Sequence, residues 1–436
     1  MIINFSLTNS KAGIKSVLFN TSTGKILANL LFVLTIWPFL FYDYCMFARF
    51  LQKKLISLSK QYPVVTVTGP RQSGKTTLVK SSFPRKRYVS LETPDDLEYA
   101  ETDPRGFLKQ MAGGAIIDEI QRVPKLLSYI QTIVDEEQKE GLFILTGSQQ
   151  LLLLDKVTPS LAGRTALLTL YPFSLEELSK NKIIKEHLRT QLITGGYPRV
   201  YDRKLNPAEW YENYIATYVE RDVRSIKNVG DLSTFARFLK MCAARSGQLL
   251  NLSGLGNDCG INHNTAKSWL SVLEASYIIF LLQPHFVNFN KRLIRSPKLY
   301  FLDAGVLCYL LNIKDPAVIH TSPYRGQIFE TFVMSELVKY YANRGMRAPV
   351  YFWRDKTGHE IDCIIEENNR LIPIEIKSGE TITSDYFKNL DFWKALSNSQ
   401  EKGFVVYGGD QVQKREKAAV VPWNTLEILF AGLKRE

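Results

Sequence analysis

An α/β protein of more than one domain is the fold class this sequence predicts, and three observations carry it. Short aliphatic and β-branched runs, such as Val64-Val65-Thr66-Val67 and Ala115-Ile116-Ile117, lack polar alternation, as strands of a parallel sheet covered on both faces require. Helical patterns separate these runs, which is the rhythm of βαβ units. Near the C-terminus, strands of period two follow a long amphipathic helix and close a second α/β unit. At 436 residues the chain exceeds one ordinary core, so two or three domains are expected. The divisions expected are 1–45, 46–195, 196–310 and 311–436.

The first 45 residues differ from the rest. Lys11, Lys15 and Lys25 precede a run from Ile26 to Tyr42 dominated by Leu, Phe, Ile and Trp, the order of a signal peptide or membrane anchor. That run is short for a spanning helix, contains Asn29 and Pro38, and has no small-residue cleavage motif behind it. Three readings stand open: a misassigned start with translation from Met46, an anchor, or a cleaved signal. Phe47-Ala48-Arg49-Phe50-Leu51 then opens an amphipathic helix leading to the first strand.

After Val64-Val65-Thr66-Val67 comes Gly69-Pro70-Arg71-Gln72-Ser73-Gly74-Lys75-Thr76, which fits G-x-x-x-x-G-K-[ST]. A strand, a glycine turn and a helix beginning at Thr76-Thr77-Leu78 aim backbone N–H groups at one spot, where the helix dipole also favours negative charge. The expected ligands are ATP and Mg²⁺, with the segment Gly69 to Thr77 binding the nucleotide. Lys75 would meet the β- and γ-phosphates and the Thr76 hydroxyl would hold the metal.

Tyr88-Val89-Ser90-Leu91 reads as the second strand, behind a short basic run read as a solvated loop. Gly114 to Gln121 is a third, ending in Asp118-Glu119 at the carboxyl edge, where ligands bind in open parallel sheets. Asp118 would hold Mg²⁺ through its water shell, and Glu119 would orient and polarise the attacking water. Leu142 to Ser148 is a fourth strand ending in hydroxyls. Ser148 either senses the γ-phosphate from between the two acids or belongs to a plain strand-ending turn. Arg164 precedes the fifth strand, Ala166 to Leu170. It is a candidate arginine finger, within one subunit or across a homo-oligomer, or a partner of surface acids.

The runs Gly69 to Thr77, Ile117-Asp118-Glu119-Ile120-Gln121, Leu145-Thr146-Gly147-Ser148, Leu161-Ala162-Gly163-Arg164 and Tyr171-Pro172-Phe173-Ser174 together resemble a prokaryotic AAA+-type ATPase family. The resemblance spans residues 46–420. It implies a P-loop NTPase parallel sheet domain with an additional strand between the two Walker-bearing strands, followed by an uncharacterised C-terminal region.

The middle of the chain is expected to be helical, with a winged-helix resemblance. Tyr211 to Arg224 and Phe235 to Ala244 read as helices, and Glu220-Arg221-Asp222-Val223-Arg224 is similar to a motif of the same family. Leu250 to Gly256 and Asn262 to Leu270 read as two helices around a Cys259-Gly260-Ile261 turn, followed by strands at Ile278 to Leu282 and Lys298 to Phe301. The hairpin would carry Lys291, Arg292 and Arg295, with Lys298 at its edge, as phosphate contacts.

In the last region a helix carries Glu330, and strands at Val350 to Arg354, His359 to Ile365, Leu371 to Lys377 and Phe404 to Tyr407 follow. Alternation places Glu375 and Lys377 on one face. A helix Glu, a strand Asp and a Glu-x-Lys strand resemble the PD-(D/E)xK fold, an α/β restriction-endonuclease-like domain. By that resemblance Asp362 and Glu375 would bind Mg²⁺, Lys377 would orient or activate water, and Glu330 would complete the metal site.

Hydrophobic and charged fractions of 45% and 22% exclude a disordered chain. A net charge of +12 and a pI near 9.2 favour anionic partners, DNA first, although an ATPase also needs positive potential for its nucleotide. Five cysteines without C-x-x-C or zinc-ligand spacing suit a reduced, cytoplasmic protein. The expected function is Mg²⁺-dependent ATP hydrolysis coupled to a DNA-binding or nuclease-like module. The alternative is a signalling or scaffold ATPase whose inactive C-terminal domain recruits a protein partner.

Overall fold

Three strands, β1 (Asn4–Ser10), β2 (Gly13–Thr21) and β3 (Gly24–Asn29), pair antiparallel in a meander that belongs to a unit of its own, residues 1–48. The protein is represented by a computed structural model that describes residues 4–10, 13–21, 24–29, 47–148, 161–219, 231–286, 294–397, 401–416 and 418–433. The apolar run expected from Ile26 therefore begins inside a strand, and residues 30–46, with Cys45 and Met46, lie outside the described residues. Among the described residues no helix is long and apolar enough to cross a membrane.

Residues 49–436 form the second unit. It opens with α1 (Leu51–Leu58), β4 (Val64–Thr68), α2 (Lys75–Ser82), β5 (Arg87–Ser90), β6 (Ala115–Asp118), α3 (Leu126–Glu137), β7 (Phe143–Gly147) and β8 (Thr165–Thr169). The strands form one parallel sheet in the order β5-β6-β7-β4-β8, so β7 stands between the strands bearing the loop and the acid pair. Alternation sorts the core into two layers. Val65, Val67, Ile116 and Ile144 pack with Leu51 and Leu55 of α1 and Leu78 and Val79 of α2. Val64, Ile117 and Leu145 pack with Leu126, Leu127, Ile130 and Val134 of α3. Each such burial stabilises by about 1.5–3 kcal/mol, which explains why unbroken apolar strands choose a sheet covered on both faces. At the edge, β8 is less fully covered, and Leu167 is 47% exposed.

The middle begins with α4 (Leu175–Lys180), opened by a Ser174–Glu177 capping box. Short helices follow at Leu188–Thr194, Pro198–Asp202 and Pro207–Tyr214, around a cluster of Tyr197, Trp210, Tyr211 and Tyr214. The helix expected to Arg224 ends at Tyr214 and continues as a π-helical turn, Ile215–Val219. The Glu220-to-Arg224 motif lies outside the described residues. Three helices come next: α5 (Leu232–Ala244), α6 (Leu252–Cys259) and α7 (His263–Ala275). Asp231, Asn251 and Asn262 cap them through side-chain oxygens, and Gly260 ends α6 in the left-handed region at φ 70°.

Strands β9 (Ile279–Leu282) and β10 (Lys298–Phe301) pair antiparallel. Lys291 and Arg292, expected between them, lie outside the described residues, while Arg295 is exposed. Lys298 corrects the sequence reading. It is buried, not at an exposed edge, because β10 packs against α8 (Arg325–Ala342), whose Glu330 pairs with the Lys298 ammonium.

The chain closes on a six-stranded mixed sheet: β11 (Val350–Arg354), β12 (Glu360–Glu367), β13 (Arg370–Lys377), β14 (Gly403–Tyr407), β15 (Gln413–Lys414) and β16 (Ala418–Pro422). Its order is β11-β12-β13-β14-β16-β15, with β13, β14 and β16 parallel to their neighbours in that series. A helix, α9 (Lys388–Ser397), packs Trp393 onto Trp353, Ile361 and Ile364. Cys242, Cys259, Cys308 and Cys363 are free and buried.

Candidate functional site

The loop after β4 is shaped by backbone that side chains would spoil. Gly69 has φ 142°, and a Cβ there would stand 2.1 Å from the Leu170 carbonyl oxygen. Gly74, at φ 93°, caps α2. Gln72 enters the left-handed region without being glycine, at φ 60°, a conformation that costs energy and clusters at functional sites. Pro70 is buried, Arg71 reaches Glu92 at 3.7 Å, and Thr77 faces solvent on the first turn of α2. Lys75 is buried, and its ammonium donates at 2.9 Å to the carbonyls of Gly69 and Pro70, so the cation is held inside the loop's own curve. Ser73 is fully buried with its hydroxyl unpartnered. Donors of a helix's first turn lack intrahelical acceptors, and with Lys75 they suit a polyphosphate.

The parallel register brings the ends of β4, β6 and β7 to one edge of the sheet. Thr76 Oγ1 donates to Asp118 Oδ2 at 2.8 Å, and Tyr88 OH donates to the same oxygen at 2.8 Å. Thr146 donates to Asp118 Oδ1. Glu119, left-handed at φ 58°, turns away from the strand, where Ser148 Oγ donates to its Oε2 at 3.2 Å and the Gln121 amide donates to the same oxygen. A hydroxyl and a carboxylate are hard oxygen donors and fit Mg²⁺.

Arg164 is not brought to this edge. It directly precedes β8, so it stands at the opposite end of the sheet, about five residues or roughly 15 Å from the loop. There Nε and Nη2 hold both oxygens of Asp135 at 2.5 and 2.9 Å. That is the surface-pair reading, and within the chain it excludes a finger.

A residue outside every motif completes the loop. Arg49 donates to Ser73 O at 2.7 Å, Tyr171 O at 2.6 Å and Glu177 Oε1 at 2.9 Å. Asn343, the residue just after α8, donates to Ser174 Oγ at 3.2 Å, and Lys339 of α8 to Phe173 O at 3.2 Å. Tyr277, at φ 58°, donates its hydroxyl to Thr68 Oγ1 at 2.7 Å, which joins the middle region to the end of β4.

In the C-terminal sheet the Cys363–Ile374 pairing sets Asp362 alongside Glu375 and Ile376, and Ile376 N–H donates to Asp362 Oδ2 at 2.8 Å. The Lys377 ammonium lies 3.0 Å from Asp362 Oδ2 and 2.6 Å from Glu375 Oε2. Asn389 of α9 donates to Glu375 Oε2 at 3.1 Å. Burial, with the Asp362 charge beside it, pushes the Glu375 carboxyl up to about 7 against the pull of Lys377. Burial alone would lower Lys377, yet Asp362 and Glu375 together raise it above its usual value. Glu375 Oε1 is buried and without a partner, an orphaned oxygen that a cation would satisfy.

Glu330 departs from the metal role expected of it. Its Oε1 accepts from Lys298 at 3.1 Å and from Tyr300 OH at 2.5 Å. Burial, then the nearby Asp362, raise its carboxyl while Lys298 opposes. Among the described residues no three His, Cys, Asp or Glu side chains converge on one metal position. Asp362 and Glu375 remain side by side on neighbouring strands, two hard oxygen donors with the Lys377 ammonium against both.

The sequence reading missed the roles of Arg49, Tyr88, Thr146 and Asn389, and gave Lys298 a phosphate in place of Glu330. Thr146 had a signal, since it ends a buried strand beside the acid pair. The others meet the sites only through tertiary packing.

Residues 61–179 match an AAA domain, residues 185–317 a domain of unknown function (DUF8612), and residues 325–426 another (DUF4143). Two uncharacterized proteins, Mb2031c of Mycobacterium bovis and Rv2008c of Mycobacterium tuberculosis, are each 32% identical over 324 residues, covering 73% of this chain and 71% of theirs. Among solved structures, a Walker-type ATPase of Pyrococcus abyssi is similar at 16% identity and a TM-score of 0.41, over 60% of this chain and 94% of its own. That likeness is too low to carry an assignment.

Proposed function

The chain belongs to the family of the mycobacterial proteins Mb2031c and Rv2008c and carries an AAA domain, and from that premise we propose that it binds ATP with Mg²⁺, hydrolyses it, and couples this to a nuclease-like module acting on DNA. The observation that supports it most is the 2.8 Å hydrogen bond from Thr76 Oγ1 to Asp118 Oδ2, between residues 42 apart in sequence. It joins the hydroxyl of the phosphate loop to the acid of a separate strand, the two groups that would hold Mg²⁺. When bound, the ion supplies charge neutralisation at the phosphate oxygens. Lys75 meets the β- and γ-phosphates. Glu119, steadied by Ser148 and Gln121, accepts a proton of the attacking water and aligns its lone pair with the γ-phosphorus.

At the second site, Asp362 and Glu375 would hold a divalent ion and Lys377 would orient water toward a phosphodiester. The three helices and hairpin of the middle region, read as a winged helix, and the net charge of +12 support DNA as partner. The alternative, a signalling or scaffold ATPase with an inactive C-terminal domain, is favoured by one observation: Lys377 already pairs with both acids.

Phosphate release from ATP and nicking of supercoiled plasmid, each with and without Mg²⁺, test the two activities. Asp362→Ala should abolish Mg²⁺-dependent nicking and leave phosphate release unchanged. ATP hydrolysis without nicking by the wild type supports the scaffold reading. Absence of both rejects the proposal.

A further inference from the structure

The acids of the C-terminal site all come from α8, β12 and β13, but the positive charge among them is supplied by two different parts of the chain. Lys298 comes from β10, in the middle region, yet its ammonium lies between Glu330 of α8, at 3.1 Å, and Glu360 of β12. Its side chain is 4% exposed, while those of Glu330 and Glu360 are each 19% exposed. Glu360 lies two residues before Asp362 on the same strand, so alternation puts both on one face. Arg354 also holds Glu360 at 2.9 Å, and Tyr300 also holds Glu330. The acids therefore divide into two sets. Glu330 and Glu360 are consumed by Lys298, Arg354 and Tyr300. Asp362 and Glu375 face Lys377, and the Oε1 atom of Glu375 is buried without a partner.

We propose that Lys298 is a positioning residue that confines the C-terminal site to one divalent cation, held by Asp362 and Glu375, by occupying Glu330 and Glu360. This rests on the reading of Asp362 and Glu375 as a cation site. A buried ammonium beside that position takes the charge a second ion would carry, and it withdraws Glu330 from coordination. The lysine enters from β10, so the set of acids open to a cation depends on that strand being packed against α8.

Mn²⁺ binding to the full chain without nucleotide, followed by electron paramagnetic resonance of the free ion, tests this. The ion of interest is the one lost in Asp362→Asn. Lys298→Gln keeps a donor for one carboxylate and removes the charge. It should hold that ion at least tenfold more tightly or take a second, whereas Lys298→Arg should match the wild type. Unchanged affinity and stoichiometry in folded Lys298→Gln overturn the role of Lys298 while leaving the site. Binding unaffected by Asp362→Asn overturns the site itself. Should Lys298→Gln fail to fold, Lys298→Gln/Glu330→Gln removes one charge of each sign. Affinity within about threefold of wild type is expected there, and a tenfold loss would make Glu330 a ligand and overturn the proposal.

Discussion

Glu336 Oε2 accepts the backbone N–H of Leu175 at 2.6 Å, which anchors the helix carrying Glu330 to the segment that Arg49 ties to the phosphate loop. The path runs from Ser73 O through Arg49 and Glu177 to Ser174, whose backbone N–H donates to Glu177, and from the adjoining Leu175 N–H to Glu336, through hydrogen bonds that are largely shielded from water. The contact joins parts of the chain 161 residues apart in sequence.

Breaking that anchor should be costly. Glu336 is buried and pairs with Lys339 at 2.9 Å, so Glu336→Ala leaves a buried ammonium without its counter-charge, held only by the Phe173 carbonyl, and the Leu175 N–H without its acceptor. A loss of about 3–5 kcal/mol is expected in urea unfolding. An unchanged midpoint would mean that α8 is held by apolar packing alone.

Lys75→Ala removes the cation inside the loop. ATP affinity should fall at least about 100-fold, near 3 kcal/mol, by isothermal titration with Mg²⁺ present. Affinity within a few-fold of wild type would move the phosphates away from Gly69 to Thr77.

Glu119→Gln keeps the shape of the side chain and removes the carboxylate that orients water. The kcat for ATP should drop about 10²–10⁴-fold, with ATP affinity nearly unchanged. Wild-type turnover would assign that role elsewhere.

Glu375 makes a pH prediction. Its carboxyl, raised from 4.5 to about 7 by burial and by Asp362, binds its proton more tightly in the folded state than in the unfolded. Its contribution to stability is therefore full below about 4.5 and is lost as pH rises through about 7. Urea midpoints measured from pH 4.5 to 8 should decline less in Glu375→Gln than in wild type. Parallel pH profiles would show that Glu375 is not perturbed.

Local pattern carried much of this in advance. The loop from Gly69 to Thr76, the strand ending at Asp118 and the Glu-x-Lys alternation at Glu375 and Lys377 are each set by a few neighbouring residues, and the structure places them as their spacing implies. Charged residues were harder. Arg164 and Lys298 both look like phosphate ligands in sequence, yet one closes on Asp135 at the far edge of the sheet and the other is buried against α8. The partner of a long cationic side chain is fixed by which element packs over it, and that information is not local. Arg49 was invisible for the same reason, because its three acceptors come from residues 24 to 128 positions away.

Phosphate release from ATP by the purified full chain, with Mg²⁺ at neutral pH, bears most directly on the proposed role of the loop and its two acids. Steady release that requires Mg²⁺ and disappears in Lys75→Ala is expected. A wild-type chain that neither retains labelled ATP nor releases phosphate, or a Lys75→Ala chain as active as wild type, would contradict it.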